Sequence, residues 1–207
     1  MTTREDATHP GPSLVGSSRR PPLERTLREG VRARDRAALA AFYERYFEDV
    51  YALTFRLLGI HEAAEDVTQD VFVKVHRAAD RLDAARDPMP WLASIVWNSC
   101  RDHWRSAPHR MLRRSADVTA PAVAAMLPAD GSDPAQEFQL AERERIVQGA
   151  LCELPESLRA VVVLHDFAGL DLSEVAAAIG VSHAAARKRH SRALERLGEL
   201  LRGRLEP

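Results

Sequence analysis

Apolar residues in this chain recur every three or four positions, in two blocks separated by a proline-rich interval, and nowhere alternate for long with the period of a strand. Such a chain can only bury its apolar surface by packing helix on helix. Phe42, Tyr46, Val50, Leu53 and Leu57 follow one face, and Ile60, Ala64, Val67, Val71 and Val75 follow another, with a break near Gly59. Asp87-Pro88-Met89-Pro90 stops the pattern, and Trp91, Leu92, Ile95, Val96 and Asn98 restart it with Pro90 near the first turn. From about Ala107 to Ala135 the chain carries Pro108, Pro121, Pro128, Asp130-Gly131 and Pro134 without a sustained period. Helical spacing returns at about Gln136. Leu151, Leu154, Leu158, Val161, Val162 and His165 mark a helix pair punctuated by Pro155, Leu172 to Ile179 a short helix, and Ala186, Ala193, Leu194, Leu197 and Leu201 the last one. The run Val161 to Leu164 is short enough for a strand, but its flanks are helical in period. We therefore expect an all-α protein of two small helical domains, residues 22–106 and 137–204. A flexible linker, 107–136, joins them, and a disordered tail rich in Pro, Gly, Ser and Arg, 1–21, precedes them.

A chain of 207 residues suffices for one ordinary domain or two small ones, which excludes a large multidomain enzyme. With 29 basic and 30 acidic residues the net charge is −1, so any binding of nucleic acid must come from local clustering. Only Lys74 and Lys188 are lysines among the basic residues, which supplies many forked phosphate donors and equally fits a GC-rich coding bias. Cys100 and Cys152, the only two cysteines, build no disulfide framework. The N-terminus lacks the apolar stretch of an export signal, and no run of about 18 apolar residues occurs. A cytoplasmic protein is expected.

The sharpest local signal lies at residues 171–192. Asp171 and Glu174 have capping-box spacing, Gly180 supplies a sharp turn, and Ser182 can cap the next helix. This is the grammar of a helix-turn-helix, whose second helix enters the DNA major groove. That helix begins at His183 and carries Arg187, Lys188, Arg189, Arg192, Arg196, Arg202 and Arg204 against Glu195 and Glu199. A basic terminal helix is often no more than a solvated face, but cap, turn and cations in one register favour DNA. By position along the helix, His183, Ala184 and Arg187 are expected to read bases and Lys188 and Arg192 to hold phosphates, with Arg189 open to either role.

A second basic cluster, Arg101, Arg105, Arg110, Arg113 and Arg114, follows Trp91, Trp97 and Trp104. Cations interleaved with flat rings suit single-stranded DNA, though tryptophans at this spacing serve equally as helix core. Before it, Glu62, Glu65, Asp66, Gln69 and Asp70 share the outer face of the Ile60 to Val75 helix. Such a face is either solvated helix or a dock for a basic protein partner.

The stretches AAFYERYFEDVYALTFRLLGIHEAAEDVTQDVFVKVHRAADRLD, PWLASIVWNSCRDHWR and LPESLRAVVVLHDFAGLDLSEVAAAIGVSHAAARKRHSRALERL resemble the two conserved domains of bacterial sigma factors, those of the extracytoplasmic-function (ECF) group of the sigma-70 family. The resemblance covers about residues 23–106 and 137–203. It implies a protein that binds core RNA polymerase and directs transcription initiation, with the first domain on the β′ clamp helices and the melted −10 element. The second domain would then bind the −35 element and the β flap. By position, Asp66, Gln69, Asp70 and Phe72 match the polymerase-docking helix of that family. Asp80, Arg81, Leu82 and Asp83 fall in the loop, 80–90, that reads a flipped −10 base, and Trp91, Asn98, Arg101 and Arg105 on the helix along the melted strand. Ser182, His183, Ala184, Arg187, Lys188, Arg189 and Arg192 fall on the −35 helix. Leu82 stands where an aromatic is frequent in the family, and Trp97 where a small or basic residue is usual. His190 replaces a typically apolar residue, so it is expected on the core side of its helix. An anti-sigma protein is implied by the family alone.

Three other classes would fit parts of this pattern. His165-Asp166 and Cys100-Arg101-Asp102-His103 place metal-ligand types close together, but neither brings the further ligands or nucleophile that a site needs. No enzyme, metal or cofactor is therefore expected. A one-component regulator would use residues 23–106 as a sensor or dimerisation bundle, and a sensor needs neither the acidic helix nor the Trp/Arg helix. A sigma-like decoy for an anti-sigma protein would not need the cations that the last helix retains.

Overall fold

The computed structural model describes residues 23–106 and 134–205. The expected tail and nearly all of the expected linker, with Arg110, Arg113 and Arg114, lie outside the described residues. Every regular element among the described residues is helical.

The first lobe holds four α-helices. α1 (Arg25–Arg32) ends at a tight reversal where Arg34 has φ 59°, and Asp35 restarts the chain as α2 (Arg36–Leu58) by accepting the Ala38 N–H at 2.9 Å. α2 buries the expected row of Phe42, Tyr46, Val50, Leu53 and Leu57. It stops at Gly59, whose φ of 78° sets the left-handed cap and whose N–H bonds Phe55 O. α3 (His61–Arg77) buries Ala64, Val67, Val71 and Val75 against it, and the Thr54 and Thr68 hydroxyls bond at 2.8 Å across the seam. A 3-10 turn (Ala79–Arg81) leads into a loop that ends where Asp87 accepts the Met89 N–H, starting α4 (Met89–Arg105) with Pro90 in its first turn. Lys74 ties α3 to α4 through Ser99 Oγ at 3.0 Å and Asp102 Oδ2 at 3.3 Å.

In the second lobe, α5 (Pro134–Glu153) begins a few residues before the expected domain boundary, with a proline at its first position, where the missing N–H costs nothing. α6 (Glu156–Val162) follows Pro155 and runs into a π-turn (Val163–Phe167), in which Ala168 N–H reaches back to Val163 O. The Val161 to Leu164 run is thus helical and fully buried, as its flanks predict. α7 (Leu172–Ile179) and α8 (His183–Leu205) complete the lobe, with Ala186, Ala193 and Leu197 of α8 facing inward.

The two lobes share one continuous apolar core. α5, α6 and the π-turn pack on α2, and α7 packs on α4. Polar groups bolt the seam. Arg159 of α6, only 2% exposed, donates to Leu57 O at the end of α2 and to Cys152 O and Leu154 O at the end of α5. Gln148 donates to Phe55 O at 3.1 Å. Arg56 pairs with Glu144 at 3.2 Å and lies 4.0 Å over the Phe167 ring. Burial lowers the Arg56 pKa from its usual value, and the Glu144 carboxylate partly restores it. Gly59 also faces this seam: a Cβ there would crowd Cys152 Sγ, and the left-handed φ strains any other residue at the position.

Candidate nucleic-acid and docking surfaces

The helix-turn-helix is assembled by the local chemistry its sequence announces. Asp171 Oδ1 accepts the N–H groups of Ser173 and Glu174, and Glu174 Oε2 accepts the Asp171 N–H at 2.9 Å, closing the capping box that starts α7. Gly180 takes φ 72° at the turn, and Ser182 Oγ accepts the Ala185 N–H at 3.2 Å to start α8. Because Ala186, Ala193 and Leu197 define the buried side, a rotation of about 100° per residue puts Ala184, Lys188, Ser191, Arg192 and Glu195 on the outermost ridge. A shallow solvent-facing depression runs along that ridge and includes Arg187. Arg187 is exposed on one flank of the ridge, half-buried Arg189 on the other, and exposed Ser182 and His183 lie at its N-terminal end. The centre of the outward face is therefore Lys188, one position beyond the Arg187 that sequence position alone favoured. His190 points away from this ridge, as expected, with its side chain 15% exposed and Nε2 2.8 Å from Asp166 Oδ2.

On α3, Glu62, Glu65, Asp66, Gln69 and Asp70 are all exposed. An apolar margin that no sequence pattern announces borders them: Val73 is 48% exposed, and Tyr43, 45% exposed, packs on Phe72 with ring centroids 4.7 Å apart and planes tilted by 57°. Phe72 itself is half-buried between Tyr43 and Phe47. Only the two-helix packing of α2 on α3 brings Tyr43 beside Phe72, so no local pattern signals the margin. His103 of α4 faces Asp66 and Asp70. Burial, opposed by those two carboxylates, holds its pKa below the usual histidine value and so favours the uncharged ring at this face.

The residues expected along the melted strand lie on the 80–90 loop and on α4. Asp80, Arg81, Asp83 and Arg105 are exposed, Asp80 lies 3.6 Å from Arg34, and Asp83 accepts the Ala85 N–H. Trp91, Asn98 and Arg101 are half-buried, Trp91 set edge-on to Phe42 and Asn98 donating to Ser94 O one turn back. Leu82 is different. It is 2% exposed and plugs the core beneath the loop, because an aliphatic side chain at that position gains more from burial than from water. In this conformation it anchors the loop and offers no reading surface. Trp97 and Trp104 are likewise buried, packed edge to face at 5.7 Å, so of the three tryptophans only Trp91 borders the surface.

Residues 42–110 match the family model of sigma-70 region 2, and residues 144–197 match that of sigma-70 region 4. The ECF RNA polymerase sigma factor SigM of Mycobacterium tuberculosis is 34% identical over 171 residues, spanning 82% of this chain and 80% of that protein. SigE of Mycolicibacterium smegmatis, another ECF RNA polymerase sigma factor, is 31% identical over 173 residues; the match spans 81% of this chain but 64% of SigE, short of two thirds of that relative. Among solved structures, CnrH in complex with the cytosolic domain of CnrY aligns with a TM-score of 0.58 and 26% identity, covering 87% of this chain and 97% of CnrH. No helix among the described residues is long and apolar enough to cross a membrane. The chain belongs to the ECF sigma factors of the sigma-70 family.

Proposed function

We propose that this chain binds core RNA polymerase and directs promoter-specific initiation. One observation carries the reading: a single small protein presents an exposed acidic face with an apolar margin on α3 and an exposed cationic ridge on a capped helix-turn-helix. The acidic face of Asp66, Gln69 and Asp70, with Phe72 and Val73 at its edge, suits a basic helical partner, the β′ clamp helices of the polymerase. The loop at Asp80 to Asp83 and the α4 residues Trp91, Asn98, Arg101 and Arg105 take the melted −10 strand, in part by stacking on Trp91. α8 enters the −35 major groove, with Lys188 and Ser191 toward base edges and Arg187, Arg189 and Arg192 toward phosphates. The same lobe meets the β flap. The protein acts by binding rather than by catalysing a reaction of its own, and it works in the cytoplasm, where the polymerase is. CnrH was solved with a protein partner, which supports an anti-sigma partner for this chain as well.

The docking half of the reading is tested by Asp66→Arg with Asp70→Arg. Both side chains are exposed, so the fold tolerates the exchange, while like-charge repulsion at the interface costs several kcal/mol. Holoenzyme formation by the double variant should be lost in a core-polymerase binding titration with its circular dichroism unchanged. Wild-type affinity would show that α3 is not the dock.

A further inference from the structure

The π-turn between α6 and α7 brings together three groups that the promoter reading does not use. His165 and Asp166 lie in the turn, and His190 approaches them from the inner side of α8, 24 residues after Asp166. The sequence offered His165-Asp166 as a pair without a third ligand; the fold supplies one. His165 Nδ1 is 2.6 Å from Leu170 O. A carbonyl oxygen only accepts, so Nδ1 carries the ring proton and Nε2 of the neutral ring keeps its lone pair. This is the arrangement of a metal-ligating histidine, oriented through its other nitrogen by a backbone carbonyl. The two imidazoles stand nearly perpendicular, at 87°, with centroids 4.6 Å apart. His190 Nε2 lies 2.8 Å from Asp166 Oδ2. One ligand atom from each residue falls within 4.8 Å of the other two. Ligand atoms about 2.0 to 2.1 Å from a tetrahedral ion sit roughly 3.3 Å apart, so side-chain adjustment alone closes the set. The His190 side chain is 15% exposed and that of Asp166 38%, which leaves an entry path on the carboxylate side. A π-turn is rare and often marks a functional site; here it places residues 165 and 166 opposite α8.

We propose that His165, Asp166 and His190 form a site for a divalent transition ion, Zn²⁺ in the first instance, with a fourth position open to water. Two imidazoles and a carboxylate suit Zn²⁺ over the hard cations, and three protein ligands make an exchangeable site rather than a closed structural one. On loading, the ion takes the place of the proton on His190 Nε2, and the ring carries its proton on Nδ1 instead. A neutral ring thus binds without net proton release, and an imidazolium releases one proton to water. The ion bridges the π-turn to α8 and changes the charge of the ligand set from −1 to +1. It thereby pins the helix assigned to the −35 element and adds a positive charge at its base. That regulatory consequence rests on the promoter reading above; the metal site itself does not.

The test uses tag-free full-length protein stripped with a chelator, then titrated with Zn²⁺ against a chromophoric competitor. The chain has 8 histidines, so the variants decide the location. One equivalent should bind, with affinity at least about tenfold weaker in His165→Ala, His190→Ala and Asp166→Asn and unchanged in His76→Ala, an exposed residue of α3. Zn²⁺ should also raise the melting temperature of the wild type and not that of Asp166→Asn, whose exposed side chain leaves folding intact if His190→Ala does not. Absence of saturable binding below millimolar Zn²⁺, or equal affinity in Asp166→Asn, would overturn the site. A separate titration of −35 duplex, with and without Zn²⁺, reads the regulatory step. Intact Zn²⁺ binding without a change in DNA affinity would overturn that step alone.

Discussion

Arg159 is the residue whose loss should be felt most in the fold, because it satisfies the carbonyl ends of two helices from two lobes at once. Its Nη1 bonds Leu57 O at 2.5 Å at the close of α2, and its Nη2 bonds Leu154 O at 3.1 Å and Cys152 O at the close of α5. Each helix end carries roughly half a negative charge, so the guanidinium is held by dipoles as well as by hydrogen bonds. Arg159→Met keeps the apolar stem and leaves buried acceptors behind. A charge-assisted bond contributes about 1.5 to 3 kcal/mol and an orphaned buried acceptor costs about 1 to 3, while removal of the buried charge returns part of its desolvation penalty. The net loss is about 3 to 4 kcal/mol, a large share of a fold worth roughly 5 to 15. Followed by circular dichroism in urea, with a slope of about 2 kcal/mol/M, the midpoint should fall by about 1.5 to 2 M. Arg159→Lys keeps the charge without the fork and should lose about half as much. A midpoint shift under about 0.3 M for Arg159→Met would refute the claim that this side chain holds the seam.

Two further outcomes follow from the surfaces. Lys188→Ala should cost roughly 1 to 3 kcal/mol on a cognate −35 duplex and relax its preference at one base pair, whereas Arg187→Ala should weaken all sequences alike and lower the salt slope by about one. Salt-titrated anisotropy on a duplex panel decides between this register and the reverse, in which Arg187 reads and Lys188 holds phosphate. The pH dependence of stability should carry the mark of His103. Burial lowers its folded pKa, so below about 6.5 the unfolded chain binds a proton that the folded one refuses. Its contribution is full above that pH and is lost as the pH falls toward the folded value. His103→Gln should flatten thermal stability across that window, and an unchanged profile would contradict the assignment.

What could be read in the sequence was local. Asp171, Glu174, Gly180 and Ser182 act on backbone groups within four residues, so the helix-turn-helix is visible as text before it is visible as structure. The rows on α2 and α3 are visible for the same reason, since one face of a helix is a short-range pattern. The seam was not visible. Arg56, Gln148 and Arg159 look like solvated positions of amphipathic helices, and their partners lie some 90 to 100 residues away. The burial of Leu82 was not legible either, because resemblance transfers a loop's role without its side-chain packing. Position along α8 alone does not give the helix's rotation; the buried row of Ala186, Ala193 and Leu197 does, and it turns Lys188 outward. No proline or glycine stands at the break between α1 and α2: Arg34 takes the left-handed φ that closes the first helix, and the Asp35 side chain then caps the second.

If this chain confers promoter choice on core polymerase, sequencing of transcript 5′ ends will show it without any assumed promoter. Core RNA polymerase would be given a pool of genomic fragments from the source bacterium, with and without the purified chain. A set of starts should appear only with the chain, sharing one motif near −10 and a second near −35, with the second lost in a Lys188→Ala, Arg192→Ala variant. Identical start profiles with and without the chain, when it binds core polymerase normally, would contradict it.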